Sequence, residues 1–321
     1  MAAILTKSII NKEKVKGINM TQQPIAANPI ASHVEQLRLQ LKESLLLDFD
    51  EYGLAEQFTG EFNSTFVGVR LNTAFQPIYD SEAGDLYGHE ALLRPTLGSE
   101  LASAPEFAFT YAEQAGKLVE FDRVSRTLHV LNFRQIYAEN GLLFLNVHPK
   151  LLVSVNEHGK VFERILHANS VPTERIVIEI QEALIEHDQQ LSDAINNYRD
   201  RGYRIAIDRF GSNQSHIDRL WKFTPDVVKL DLNLIQQAET NVRVRNALPG
   251  LVKIIQDIGA KPIITGIETQ NQLDIAIESG GTLFQGYFLA KPVTAKELQP
   301  SSLFKRSVSI LNSNKGIRTA A

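Results

Sequence analysis

The sequence predicts an α/β barrel of the (β/α)8 type, on three observations. From Asn72 onward, short runs rich in Val, Ile and Leu alternate with helix-like patterns. Many of these runs close on a polar residue: Glu90 in LYGHEAL, Asn146 in GLLFLNV, Glu179 in RIVIEI, Asp208 in YRIAID, and Lys229 with Asp231 in DVVKLD. Parallel barrels carry their chemistry at strand C-termini, so this punctuation is a barrel-top site written in one dimension. The 321 residues, 43% hydrophobic and 22% charged, suffice for one large domain with extensions.

Residues 1–30 set Lys7, Lys12, Lys14 and Lys16 against one acid, Glu13, and are expected to form a disordered tail. Translation starting at Met1 and translation starting at Met20 both fit this stretch. Ser32 and Glu35 have the spacing of a capping box, and Val34, Leu37, Leu41 and Leu45 recur at helical intervals. That predicts an N-terminal helix within a 31–65 extension, serving either as a docking or dimerisation helix or as one packed on its own barrel. Residues 62–71 fit no single pattern. The barrel domain is expected over 66–300 and a polar tail over 301–321.

Strands are predicted at TAFQPIY, LYGHEAL, LLFLNV, RIVIEI, RIAID, VVKLD and KPIIT, with a short one near Thr282–Gln285. Helices are predicted at 104–115, 122–138, 188–201, 214–221, 243–259 and 269–280. Only SEAGD separates the first two strands, which makes them a hairpin. The other strands need crossovers and are expected to run parallel.

Glu90, Asn146, Glu179 and Asp208 are hard oxygen ligands. Converging on one barrel mouth, they suit Mg, Mn or Ca rather than zinc. Lys229 adds a positive charge for a phosphate or an attacking hydroxide, and Asp231, two residues on, is expected on the same face. Such a set fits metal-assisted phosphoester hydrolysis. A Schiff-base lysine is the competing chemistry, but clustered carboxylates favour the charged ammonium. Any one of these acids also fits a helix cap. Glu182 fits either a loop acid of the site or an exposed acid at a helix start, and His89, pointing the other way along its strand, reads as structural.

Bulk properties exclude other classes. No cysteine means no disulfide and no thiolate metal site. A net charge of −4 gives no reason to expect nucleic-acid binding. No apolar stretch approaches the roughly 18 residues of a membrane span, so a cytoplasmic protein is expected.

In sequence, FQPIYDSEAGDLYGHEALLR resembles the opening of an EAL domain, the bacterial cyclic di-GMP phosphodiesterase family. The likeness continues in order through LNVHPKLL, IEIQEA, IDRFGSNQSHI, VVKLD, TGIET and FQGYFLAKP, covering roughly Phe66 to Pro292. It implies a modified TIM barrel with one antiparallel strand, hydrolysis of cyclic di-GMP to pGpG, and two Mg or Mn ions. Glu90, Asn146, Glu179 and Asp208 match metal-ligand positions. Lys229 matches the lysine that orients or activates water, and Glu182 matches the second acid of its motif. Gln76, Leu92, Arg94 and Gln285 match positions around the nucleotide. Asp208, Arg209, Asp231 and Glu268 fall in the same motifs and are assigned to the nucleotide site.

Three departures stand out. Arg209 occupies the place of a second aspartate, Thr265 that of a glutamate, and Ser212-Asn213-Gln214-Ser215 lacks a glycine of the corresponding loop. A cation beside a metal position costs twice: a ligand is lost and a repulsion added, roughly 4 kcal/mol for unit charges about 4 Å apart. At most one well-held metal is therefore expected. Three functions follow: a cyclic di-GMP-binding effector with little or no hydrolysis, an active or slow phosphodiesterase, or a protein-interaction module. A protein partner or a homodimer is also expected.

Overall fold

Alternation along each strand decides which residues enter the barrel. In IVIEI, Ile176, Ile178 and Ile180 pack outward under the helices while Val177 turns inward. Repeated around the sheet, this fills the barrel with Ile78, Leu142, Phe144, Val177, Ala206, Val227, Ile263 and Leu283. A computed structural model of the chain describes residues 35–39, 41–43, 49, 51–97, 101–102, 104–136, 141–154, 158–212 and 215–298.

The strands are β1 (Ala55–Glu56), β2 (Phe62–Phe66), β3 (Val69–Asp80), β4 (Asp85–Leu97), β5 (Leu101–Ala102) and β6 (Leu142–Asn146). They continue as β7 (Ile176–Ile180), β8 (Arg204–Phe210), β9 (Val227–Leu230), β10 (Lys261–Ile264) and β11 (Leu283–Phe284). Eight of them close the barrel in the order β3-β11-β10-β9-β8-β7-β6-β4, and β4 pairs back onto β3. Strand β3 runs antiparallel to both of its barrel neighbours, and the other barrel pairings are parallel. This is the predicted barrel with one antiparallel strand. All eight predicted strands are present. The unassigned 62–71 stretch is β2 and the start of β3, an antiparallel pair that meets at Phe66 and Val69.

The helices are α1 (helical at 35–39 and 41–43), α2 (Pro105–Gln114), α3 (Leu118–Phe133), α4 (Pro149–Ser154) and α5 (His158–Ala168). They continue as α6 (Asp188–Arg199), α7 (Asp218–Phe223), α8 (Leu232–Thr240), α9 (Val242–Asp257) and α10 (Gln270–Glu278). Leu37 and Leu41 of α1 are buried in the same core as the outer faces of β6 and β7, and Arg38 Nε donates to the Leu54 carbonyl at 3.2 Å. α1 is thus a helix packed on its own chain. Sequence patterning assigned no helix to α4, α5 or α8. The predicted tails at 1–30 and 301–321 lie outside the described residues.

Helix α3 ties the entry hairpin to the barrel. Asn132 Oδ1 accepts from Phe62 N at 2.7 Å, and Asn132 Nδ2 donates to the Phe62 carbonyl at 2.9 Å. The side chain therefore mimics a strand partner and satisfies two backbone groups that burial would otherwise leave unpaired. No helix among the described residues is long and apolar enough to cross a membrane.

Candidate active site

Most polar residues of the barrel mouth lie two positions beyond an inward-facing core residue. Phe144 leads to Asn146, Val177 to Glu179, Ala206 to Asp208, Val227 to Lys229, Ile263 to Thr265 and Leu283 to Gln285. In antiparallel β3 the order reverses, and Gln76 precedes Ile78. A period of two places all of them on the inner face, one layer above the apolar plug.

Lys229 is the centre of this layer and is 2% exposed. Its Nζ donates to Glu179 Oε1 at 2.6 Å and to Glu90 Oε2 at 2.7 Å, and lies 3.9 Å from Asp208 Oδ1. Glu90 also accepts from Asn146 Nδ2 at 3.1 Å and from Gln285 Nε2 at 2.8 Å. Gln285 reaches Gln76 Oε1 at 3.4 Å, and Gln76 Nε2 in turn donates to the Ala290 carbonyl at 3.2 Å. The structure brings Gln76, Glu90, Asn146, Glu179, Asp208, Lys229 and Gln285 into one constellation.

Its electrostatics are uneven. Burial opposes a charge on Lys229, but Glu179, Glu90 and Asp208 outweigh it and push the ammonium up, so it stays protonated. Burial also opposes a charge on Glu90. The Lys229 ammonium, with hydrogen bonds from Lys229, Gln285 and Asn146, overcomes it and holds that carboxyl below its usual range. Glu179 is pushed well up, first by burial and then by the negative charge of Glu90. Asp208 is raised mainly by burial. One ammonium thus faces three carboxyls, and two of the three resist ionisation.

Among the described residues, no cluster of three or more His, Cys, Asp or Glu side chains is arranged to hold a metal as it stands. The chemistry of the set nevertheless fits one hard cation. Glu179 Oε2 is buried without a hydrogen-bond partner, and every donor atom the set offers is a hard oxygen. Glu90, Asn146, Glu179 and Asp208 are the residues that would hold it.

The remaining predicted residues occupy distinct places. Leu92 and Arg94 alternate with Glu90 on the same face of β4 and are half-buried; Arg94 Nη1 donates to the Leu93 carbonyl at 3.1 Å. Asp231 caps α8, accepting from Asn233 N at 2.9 Å and from Asn233 Nδ2 at 2.6 Å. Asp231 therefore spends its carboxylate on a helix end rather than beside Lys229. Glu268 is exposed, and its backbone N donates to Gln272 Oε1 at 2.7 Å. Thr265 turns its hydroxyl onto the Leu230 carbonyl at 2.6 Å. His89 is structural, buried among Phe75 and Phe133, with burial lowering its pKa to about 4.

Glu182 is neither exposed nor free. It is buried, with Oε2 2.7 Å from Arg219 Nη1 and Oε1 accepting from His216 N at 3.1 Å. Arg219 Nε also reaches Asp188 Oδ1 at 3.0 Å, and Arg219 Nη2 the Ile185 carbonyl at 2.7 Å. This pair clamps the loop after β7 to the one after β8. Sequence reasoning passed over Arg219, because DRLWK has the composition of an ordinary solvated helix.

A profile of the EAL domain matches residues 61–292. The chain belongs to the EAL-domain family. The uncharacterized EAL-domain-containing protein YkuI of Bacillus subtilis is 30% identical over 223 residues, covering 68% of this chain and 54% of YkuI. The cyclic di-GMP phosphodiesterase RocR of Pseudomonas aeruginosa is 29% identical over 226 residues, covering 68% of this chain and 56% of RocR. The chain spans about half the length of these curated relatives. The crystal structure of YkuI, with its EAL domain, in complex with substrate c-di-GMP and calcium matches with a TM-score of 0.66 at 26% identity, over 78% of this chain and 62% of that one. A manganese and cyclic di-GMP complex of Klebsiella pneumoniae BlrP1 matches with a TM-score of 0.65 at 23% identity, over 75% and 59% of the two chains, a likeness of fold.

Proposed function

We propose that this EAL domain binds cyclic di-GMP at the mouth of its barrel and hydrolyses it little or not at all. Binding is supported by the assembled layer of Gln76, Glu90, Asn146, Glu179, Asp208, Lys229 and Gln285, and by the nucleotide complex of YkuI. The observation that carries the loss of hydrolysis is Arg209. It sets a guanidinium beside Asp208, with Nε 3.9 Å from Asp208 Oδ2. A second cation there meets like charge in place of a ligand.

The residues present fit one divalent ion, Mg or Mn, held by Glu90, Asn146, Glu179 and Asp208. When bound, such an ion lowers the pKa of water and polarises a phosphoryl oxygen. Lys229, whose ammonium form the surrounding carboxyls favour, acts here as a fixed charge. It holds Glu90 and Glu179 in place and stabilises negative charge developing above them. Thr265, occupied with the Leu230 carbonyl, supplies no carboxylate.

A slow phosphodiesterase is the second reading, favoured by the intact Lys229–Glu90–Glu179 cluster. Calorimetric titration of cyclic di-GMP with Mg or Mn, followed by chromatography of the same sample, separates the two. Heat with intact nucleotide recovered is the expected result. Accumulating pGpG makes the slow enzyme correct, and absence of binding overturns both in favour of a protein-interaction role.

A further inference from the structure

We infer that Arg209 is a phosphate clamp: its guanidinium anchors a phosphodiester group of the bound dinucleotide and takes over the charge role of a second divalent cation. The inference rests on the reading that the barrel mouth binds cyclic di-GMP. It adds a residue-level basis for recognition and a specific metal dependence.

The backbone is the first argument. Arg209 has φ 54°, the left-handed region that a non-glycine residue enters seldom and at a cost. The β8–β9 pairing slips between Ile207 and Phe210, so Arg209 lies within a bulge. Bulges re-aim side chains at the rims of barrels. The loop that follows holds this shape: Ser212 N donates to the Arg209 carbonyl at 3.3 Å, and Gly211 N donates to Ser215 Oγ at 3.0 Å. Gly211 has φ 88°, a backbone that L side chains rarely adopt, and a Cβ there would also have to displace Leu234 Cδ1 from 2.5 Å.

The second argument is availability. The Arg209 side chain is 60% exposed, and its ion pair among the described residues, to Asp208, is at the long limit of such contacts. A pair of this length, with its guanidinium in solvent, contributes little and is readily exchanged. The guanidinium's planar fork matches two phosphate oxygens at once.

Charge is the third. Lys229 is buried and already committed to Glu90 and Glu179. A phosphate arriving at the mouth therefore meets carboxyl groups first, and Arg209 is placed at that rim to offset them.

The test is calorimetric titration of cyclic di-GMP into the full chain in EDTA and in manganese, for the wild type, Arg209→Gln and Arg209→Asp. Circular dichroism melts check that each variant is folded. The wild type is expected to bind in EDTA nearly as tightly as with manganese. Arg209→Gln should lose about tenfold or more in EDTA, the effect of one charge-assisted hydrogen bond. Arg209→Asp should bind only when manganese is present. A wild type that requires manganese, or an Arg209→Gln variant that binds unchanged in EDTA, overturns the clamp while leaving nucleotide binding intact. A wild type that binds in neither condition overturns the binding reading and the clamp with it.

Discussion

Lys229 shows how one residue sets the state of a whole site. Its ammonium is what permits Glu90 to stay ionised in a buried layer. Removing it leaves Glu90 and Glu179 facing each other without a counter-charge. Lys229→Met should therefore cost about 3–5 kcal/mol, toward the lower end because Glu179 already favours its protonated form. Urea denaturation at neutral pH measures this, and a loss below about 1 kcal/mol would mean that Lys229 does not hold a charged cluster. Arg209 and Thr265 make the complementary case. Replacing them with Asp and Glu together removes the misplaced cation and returns two oxygen donors. The double variant Arg209→Asp/Thr265→Glu is expected to gain Mg- or Mn-dependent release of pGpG, seen by chromatography. A folded but inert double variant would place the lost activity elsewhere.

At the level of elements, the strands were legible and several helices were not. Period-two alternation with a polar terminus is a strong local signal, and it marks Glu90, Asn146, Glu179, Asp208 and Lys229. Helix α4 is short and α8 begins almost directly after β9, so their patterns merge with their neighbours'; α5 follows α4 and was passed over with it. For Glu182 the sequence left a site acid and an exposed helix-start acid both open, and the structure excludes the exposed one. Its burial depends on Arg219, a side chain 37 residues away that no local pattern points to. Packing between elements also sets acid stability. His129 on α3 bonds to Thr73 on β3 at 2.9 Å, and burial first, then Arg126 and Arg94, lower its pKa to about 3. Below the ordinary 6.5, the unfolded chain binds a proton that the folded chain refuses, so stability falls as pH drops through that window. His129→Asn keeps a hydrogen-bonding partner for Thr73 without this titration. It should lose less stability than the wild type between pH 6.5 and about 4 in urea denaturation, and equal losses would clear His129 of the effect. Gly286 makes a steric contact of the same rank. A Cβ there would lie 2.1 Å from the Ile267 carbonyl oxygen, so Gly286→Ala must separate the ends of β10 and β11 and move Gln285. Weaker nucleotide binding together with a lowered melting temperature is expected, and unchanged binding would detach Gln285 from the site.

For the whole molecule, several unfavourable features meet at the barrel mouth. Like charges gather there, a non-glycine residue takes a left-handed backbone, and Glu179 Oε2 is unpaired. A ligand that satisfies this layer should stabilise the entire fold. Cyclic di-GMP at about a hundred times its Kd is expected to add about 2.7 kcal/mol, read as a rise in melting temperature that grows with ligand concentration. A melting temperature indifferent to the nucleotide would count against binding at the mouth. The sequence by itself determined the barrel, its antiparallel opening and the identities of most mouth residues, because alternation and strand-end polarity are local properties. The tertiary structure alone decided that α1 packs on its own core, that Asp231 is spent on a helix cap, and that Glu182 is locked to Arg219. It also decided that Arg209 stands exposed in a bulge beside Asp208. Each of these depends on which side chain arrives from a distant part of the chain, or on a backbone angle set by the loop around it, and neither is encoded in the spacing of neighbours.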